Sequence, residues 1–338
     1  MAGGTSARRA TLAAVATAAG VSIPTVSKVV NGRTDVAPET RARIGALLAE
    51  HGYQARASGG VQSTVRTVDL TFDGMRSPNN LEIIRGALEE ASAHDVDVVV
   101  GLAPDDPSGV AWARRMATGH REGMILVTSR ITEPQWQQFV EQGIPVVTID
   151  PVTVPSARVP SVGATNFSGG MEATAHLVAL GHRRIGFIEG PPDAMVSIAR
   201  LHGYQAAMTQ GGLTIDPDLI RAGRFTFDAG FTAAVGLLGR RERPTAVFAS
   251  NDAQALGAIE AARTLGLLVP QDVSVVGFDD MAVAQWSAPP LTTVRQPFAD
   301  MGRVAMRRLL RCIDGEQLVS PRVELATQLV VRKSTAAI

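Results

Sequence analysis

At 338 residues, 45% hydrophobic and 19% charged, the chain has the composition of a globular protein with room for two or three domains, not of a disordered segment. No run of about 18 apolar residues occurs, which excludes a membrane-spanning helix; the single cysteine, Cys312, excludes an internal disulfide or a Cys-based metal site and fits a reducing cytoplasm. Net charge is zero, yet residues 1–66 carry eight basic against three acidic residues, so a head of +5 precedes a body of −5, and such a head is suited to a polyanion.

The opening "MAGGTSARRATLAAVATAAG" places two arginines before an apolar stretch. That stretch is Ala/Thr-rich and runs into a patterned helix, so it is not read as an export signal. Thr11 can N-cap a helix whose Leu12, Val15, Ala16 and Ala19 follow the i, i+3, i+4, i+7 stripe. Gly20 then suits a left-handed turn, Ser22 caps the next helix, and Pro24 falls in its first turn, where a missing N–H costs little. A third helix opens at Pro38, runs through Ile44, Leu47 and Leu48, and stops at Gly52. These signals describe a helix-turn-helix unit. In it, Val26, Val29 and Val30 pack inward on Leu12, Val15 and Leu48. Ser22, Thr25, Ser27, Lys28 and Asn31 face outward with groups suited to phosphate oxygens, and Ile23, Pro24 and Lys28 lie where a recognition helix meets base edges. Spacing alone leaves a second reading open: a small helical subdomain whose polar groups merely face water.

From about residue 67 the style changes. Apolar strand-like runs, "TVDLTF", "VDVVVGL", "GMILVTS" and "IPVVTID", then "RRIGFIEG", "TAVFAS" and "VSVVGFD", alternate with helical patterns, which predicts an α/β body of doubly wound parallel sheets. The series is too long for one sheet and divides near residues 150–166, where "PVTVPSARVPSVGATN" is Pro-rich and irregular. Two similar lobes with a cleft between them follow, and ligands of such sheets sit beyond the carboxyl ends of the strands. Asp279 and Asp280 look like paired catalytic carboxylates. Adjacent residues at a strand end point to opposite faces, however, and no nucleophile–base–orienter set accompanies them, so no catalysis is expected. The histidines at 51, 94, 120, 176, 182 and 202 lack metal-ligand spacing, and neither metal nor cofactor is expected.

Head and body together resemble the LacI/GalR family of bacterial transcription regulators over essentially the whole chain. "AGVSIPTVSKVVNG" is similar to the family's helix-turn-helix signature, and Val36 with residues 38–53 to its third helix. In the body, "GIPVVTID", "LGHRRIGFIEGP", "ARLHGYQAAM", "PTAVFASNDAQALGAIEAARTLGLLVPQDVSVVGFDD" and "PPLTTVRQP" follow in family order. The resemblance implies a three-helix DNA-binding head over residues 1–55, a hinge over 56–66 and an effector-binding and dimerisation body over 67–338. Lobe 1 is expected over about 67–165 plus 297–325, and lobe 2 over about 166–296 plus 326–338. Further implications are a cytoplasmic, non-enzymatic homodimer whose paired heads read double-stranded operator DNA. A mono- or oligosaccharide between periplasmic-binding-protein-like lobes then switches operator affinity.

By matching position, the resemblance assigns DNA contacts to Thr11, Ser22, Ile23, Pro24, Thr25, Ser27, Lys28 and Asn31. Pocket positions are Asp150, Arg200, Phe225, Asn251 of the Asn251–Asp252 pair, and Asp279; Met75, Ser77, Asn79, Ser129 and Trp286 lie near the same cleft. The chemistry suits a sugar, because carboxylate, guanidinium and amide groups bind vicinal hydroxyls bidentately and a ring face stacks on an aromatic. Other readings stand beside these: Arg200 as a surface cation, Phe225 as core packing, Trp286 as a subunit contact, and Asn251 as a helix N-cap in any case. Two departures from the family pattern stand out. "RSPNN" at residues 76–80 lacks the usual aromatic, which makes that wall more polar. In "QARASGGVQSTVRT", residues 54–67, Gln62 stands near the place of the family's wedge leucine, and Gly59 and Gly60 cost a helix roughly 1 kcal/mol each. That leaves either Val61 as a weaker wedge into the minor groove or no ordered wedge. The alternative function is a transport-associated sugar-binding protein, against which the basic head and the missing export signal count.

Overall fold

The computed structural model describes residues 12–30, 36–50, 66–75, 77–153 and 159–338, so Thr11, Asn31, Gly52, Val61, Arg76 and residues 56–65 of the expected hinge lie outside the described residues. The chain divides into two compact units, Met1–Val65 and Arg66–Ile338. In the first, α1 (Leu12–Ala19), α2 (Ile23–Val30) and α3 (Pro38–Glu50) close on Val15, Ala16, Ala19, Val26 and Ile44, with Leu12, Val29, Val30, Leu47 and Leu48 packed around them. Gly20 turns the chain between α1 and α2 at φ +65°, a conformation open to glycine at little cost, and the Val21 N–H closes the turn on the Ala16 carbonyl at 3.0 Å. Ser22 stands ahead of α2 with its Oγ 3.4 Å from the Thr25 N–H and 2.8 Å from the Thr25 hydroxyl.

In the second unit, strands and helices alternate through two six-stranded sheets. Lobe 1 contains β1 (Arg66–Phe72), α4 (Asn79–Ser92), β2 (Val96–Leu102), α5 (Val110–Thr118), β3 (Gly123–Val127), α6 (Glu133–Glu141), β4 (Val146–Ile149) and β5 (Ser161–Ala164). Lobe 2 follows with α7 (Asn166–Ala179), β6 (Ile185–Ile188), α8 (Met195–Gln210), β7 (Ile220–Arg221), α9 (Phe227–Leu238), β8 (Ala246–Ala249), α10 (Asp252–Thr264), β9 (Ser274–Asp279), α11 (Ala282–Trp286) and β10 (Thr292–Arg295). Then α12 (Phe298–Ile313) and β11 (Arg322–Leu325) return to lobe 1, and β12 (Gln328–Val330) ends in lobe 2. The sheet orders are β11-β5-β4-β3-β1-β2 and β12-β10-β9-β8-β6-β7, parallel throughout except for β12 against β10. Every residue of β3, β4, β6, β8 and β9 is buried, as strands covered on both faces must be, which is why they appear as mainly apolar runs rather than alternating ones.

Helices pack closely where glycines remove Cβ atoms. Gly86 and Gly302 join α4 to α12, Gly170 and Gly203 join α7 to α8, and Gly230 and Gly257 join α9 to α10; a Cβ at any of the six would come within 2.6 Å of the partner helix backbone. The Pro-rich stretch expected to be irregular carries a strand: β5 pairs β4 through Thr148–Ser161 and Ile149–Val162, and pairs β11 along its whole length. Four residues with a glycine among them show no usable period, so tertiary pairing alone defines that strand. The chain passes between the lobes after β5, after β10 and after β11. The first and last of these passages are stitched by the Thr165 and Thr327 hydroxyls at 3.0 Å and by the Thr165 N–H on the Leu325 carbonyl at 2.9 Å.

Candidate functional site

Both sheets reverse their strand order at equivalent places, between β1 and β3 and between β6 and β8. A ligand site in such sheets lies beyond the carboxyl ends next to that reversal. There the backbone is bent sharply: Thr128 after β3 has φ +49°, Asp150 after β4 has φ +43°, and Asp279 at the end of β9 has φ +121°. Conformations of this kind are disfavoured for L-residues and persist where the surroundings hold them.

Arg200, in the second turn of α8, is the centre of the lobe junction. The Gly170 and Gly203 contacts set α8 hard against α7, and the guanidinium is driven inward rather than to the surface, so Arg200 is buried. Its Nε donates to Asn166 Oδ1 at 2.8 Å, its Nη1 donates to the Ser250 carbonyl at 2.6 Å, and Asp279 Oδ1 lies 3.9 Å away. The guanidinium stands 3.9 Å over the Phe278 ring and 5.7 Å from that of Phe225. Asp279 accepts from Asn79 Nδ2, across the junction from lobe 1, at 3.0 Å and from Gln296 Nε2 at 2.6 Å. Its neighbour Asp280 turns the other way and is held by Arg295 and Arg332 at 2.7 and 2.5 Å.

The charges are unbalanced by burial. Asp150 is pushed up to about 6 by loss of water and by the Asp279 charge, against the pull of Arg200. Burial likewise raises Asp279 and Asp252, while it lowers Arg200 against the opposing carboxylates of Asp279, Asp150 and Asp252. Asp252 is spoken for: it accepts from the Thr293 hydroxyl and from the Met281 N–H.

The remaining expected pocket residues fall into three groups. Asn251 caps α10 by accepting from the Gln254 N–H at 2.9 Å, and its amide reaches the Phe225 carbonyl at 3.5 Å. The Phe225 ring covers Gly190, where a Cβ would sit 2.3 Å from it, so this ring is partly packing and partly junction wall. Ser129 is buried with its hydroxyl on the Val127 carbonyl at 3.0 Å, and Met75 and Ser77 are exposed ahead of α4. Trp286 does not join the cluster: it ends α11 with 78% of its surface exposed, because a five-residue surface helix carries it outward. Three participants escaped the sequence reading: Asn166, Ser250 and Gln296. Ser250 Oγ and Gln296 Oε1 are buried without a hydrogen-bond partner, beside Arg200 and Asp279 respectively. A polar residue squeezed between a strand and a proline, as Gln296 is before Pro297, was the available signal.

On the head, Ser22, Ile23, Pro24 and Lys28 are exposed along α2, and Thr25 and Ser27 are half-buried. Ile23 is 49% exposed at the first position of that helix, an apolar side chain among hydroxyls and a lysine. Such a mixture matches the edges and backbone of a DNA groove. Among the described residues, no helix is long and apolar enough to cross a membrane, and no group of three or more His, Cys, Asp or Glu residues is placed to hold a metal ion.

Comparison with known proteins agrees with both halves. A family described as bacterial regulatory proteins, lacI family, matches residues 11–55, and one described as a periplasmic binding protein-like domain matches residues 174–335. The HTH-type transcriptional regulator CelR of Thermobifida fusca is 36% identical over 337 residues, covering 97% of this chain and 98% of CelR. The HTH-type transcriptional repressor CytR of Escherichia coli K12 is 34% identical over 333 residues, 97% of each chain. Among solved structures, a CelR–cellobiose complex superposes with a TM-score of 0.73 at 35% identity, covering 96% of this chain and all of that one. The lac repressor dimer bound to operator and an anti-inducer does so with a TM-score of 0.73 at 29% identity, covering 98% and 100%.

Proposed function

The chain belongs to the LacI family of bacterial regulatory proteins, and from that premise we propose that it is a transcriptional repressor whose operator affinity is switched by a small sugar held at the lobe junction. The observation that carries the effector half is the cluster of buried Arg200 and Asp279 with half-buried Asn79, drawn from both lobes, with the Ser250 hydroxyl and the Gln296 side-chain Oε1 unpartnered beside it. Unpartnered buried polar atoms cost stability, and a polyhydroxylated ligand satisfies them. The relative solved with cellobiose supports a carbohydrate. Asp150, Arg200, Phe225, Asn251 and Asp279 contact the sugar, and Asn79 and Gln296 tie lobe 1 and the second passage to it. On the head, Ser22, Thr25 and Ser27 meet phosphates, and Ile23, Pro24 and Lys28 meet base edges.

The protein acts as a homodimer in the cytoplasm, where its operator is. Exposed apolar side chains on lobe 1 support self-association: Leu81 on α4 and Leu102 on β2 are 69% and 57% exposed, and Leu88 on α4 and Val100, on the Leu102 face of β2, are exposed too. A binding role rather than catalysis is supported by Asp279 and Asp280 facing apart. Ligand that bridges the lobes favours one lobe arrangement, and the paired heads change register on the half-sites. Selection of operator fragments from genomic DNA, followed by gel shifts against a sugar panel, tests both halves. Salt-dependent binding to one selected sequence, altered by one sugar, is expected; sequence-independent binding overturns the reading.

A further inference from the structure

At the lobe junction, the carboxylate of Asp279 is already paired by the chain itself. Its Oδ2 accepts from Asn79 Nδ2 of lobe 1 at 3.0 Å and its Oδ1 from Gln296 Nε2 at 2.6 Å, with Arg200 Nη1 3.9 Å away. A cavity of about 320 Å3 lies beside Asp150, yet neither Arg200 nor Asp279 lines it. We propose that Asn79 is an autoinhibitory side chain: without effector its amide holds the place of an effector hydroxyl on Asp279, and the effector must displace it. The proposal rests on the reading of the junction as a sugar site and adds what opposes entry to it.

Three observations carry it. The contact is of the kind a hydroxyl makes. An amide N–H and a sugar O–H are both neutral donors, and a buried carboxylate oxygen is costly to leave unpaired. Asn79 supplies the donor on the side that faces lobe 1, so a hydroxyl arriving there meets an oxygen already engaged. Next, lobe 1 holds the amide in position. Asn79 opens α4 with its N–H 3.3 Å from Ser77 Oγ, and Asn80 Nδ2 donates to the Gly74 carbonyl at 2.9 Å. Gly86 and Gly302 then seat α4 against α12. Freeing Asp279 therefore takes a turn of the Asn79 side chain or a shift of lobe 1 as a body, and the second route links displacement to the lobe arrangement. Finally, the pairing is incomplete. Ser250 Oγ and Gln296 Oε1 stay buried without a partner beside it, so the amide satisfies Asp279 and leaves two polar atoms unmet. A polyhydroxylated ligand exchanges that one hydrogen bond for several, which is what makes the contact displaceable.

Calorimetric titration of the full chain with D-glucose, D-galactose, D-ribose, cellobiose and maltose tests it, with Asn79→Ala and Arg130→Ala beside the parent. Arg130 pairs across the lobes with Asp193 instead of Asp279, so its variant removes a lobe contact without freeing that carboxylate. Asn79 is half-buried and Arg130 exposed, and melting temperatures report that both variants fold. Asn79→Ala is expected to bind the preferred sugar about tenfold more tightly than the parent, since no internal donor has to leave, and to release or recruit operator at correspondingly lower sugar concentration. Arg130→Ala is expected to stay within about twofold of the parent. Equal or weaker binding by Asn79→Ala, or equal tightening by Arg130→Ala, overturns the displacement and leaves the sugar reading standing. Absence of binding of every sugar by parent and variants overturns the sugar reading and the proposal with it.

Discussion

Asp279 and Asp280 are adjacent in the chain and opposite in environment: one faces Arg200, Asn79 and Gln296 at the junction, the other is locked between Arg295 and Arg332. Residue type alone does not separate them; the strand end does, by sending successive side chains to opposite faces. Asp150 is the sharper case, a carboxylate raised from 3.8 to about 6 by burial. Its folded-state value lies above its unfolded one, so the charged form costs stability at pH above about 6, and that cost fades as pH falls from 6 toward 3.8. Asp150→Asn is therefore expected to melt above the parent at about pH 8, with the gap narrowing as pH is lowered through 6, and to lose the effector response. Thermal melts across pH, beside gel shifts with sugar, check both parts. Arg200→Ala removes the cation that faces the carboxylates of Asp279, Asp150 and Asp252 and is expected to abolish the response while operator binding persists; equal sugar sensitivity of variant and parent sinks that role.

At the scale of elements, glycine has two opposite meanings. Gly302 on α12 meets α4 so closely that a Cβ would sit 2.2 Å from the Ile83 carbonyl, whereas Gly236 on α9 faces open space. Gly302→Val is expected to destabilise the body by about 1–3 kcal/mol through overpacking. Gly236→Ala should stabilise it by about 0.5–1 kcal/mol, because only helix propensity changes there. Denaturant midpoints of the two variants should move in opposite directions. On the recognition helix, Lys28→Ala is expected to weaken operator binding and to lower the salt slope by about 1 if Lys28 meets phosphate, or to relax base preference if it meets a base edge. An unchanged footprint and slope count against either contact. The helices and the central strands were legible in the sequence, because each carries a stripe or a mainly apolar run. β5 and the two-residue β7 were not, because their existence depends on a neighbour's open edge.

For the whole molecule, polar contacts between the lobes among the described residues include Asn79 with Asp279, the Arg130–Asp193 ion pair, and the Met195 N–H on the Val152 carbonyl at 3.0 Å. The Arg130–Asp193 pair is exposed and contributes little, and the other two are single hydrogen bonds, so the lobe arrangement stays within reach of a ligand's binding energy. A cognate sugar at a hundred times its Kd adds about 2.7 kcal/mol to the folded state. A rise of several degrees in the melting temperature of the parent, and none for Arg200→Ala, is the expected outcome in a thermal-shift measurement. A rise of equal size in both places the sugar elsewhere.

What the sequence by itself determined is the order of elements, the stripe that closes the head, the two-lobe division and the chemical types gathered for the site. Hydrophobic period and strand-end position carry those, since they are local and repeat along the chain. Tertiary structure decided which polar groups meet: Asn79 with Asp279, 200 residues apart, Gln296 with the same carboxylate, and Arg200 buried rather than exposed. It also decided that Trp286 faces solvent and that the open volume lies beside Asp150 instead of between Arg200 and Asp279. Single polar side chains have no period to betray their partners; three chain passages and glycine-tight helix pairs bring them together.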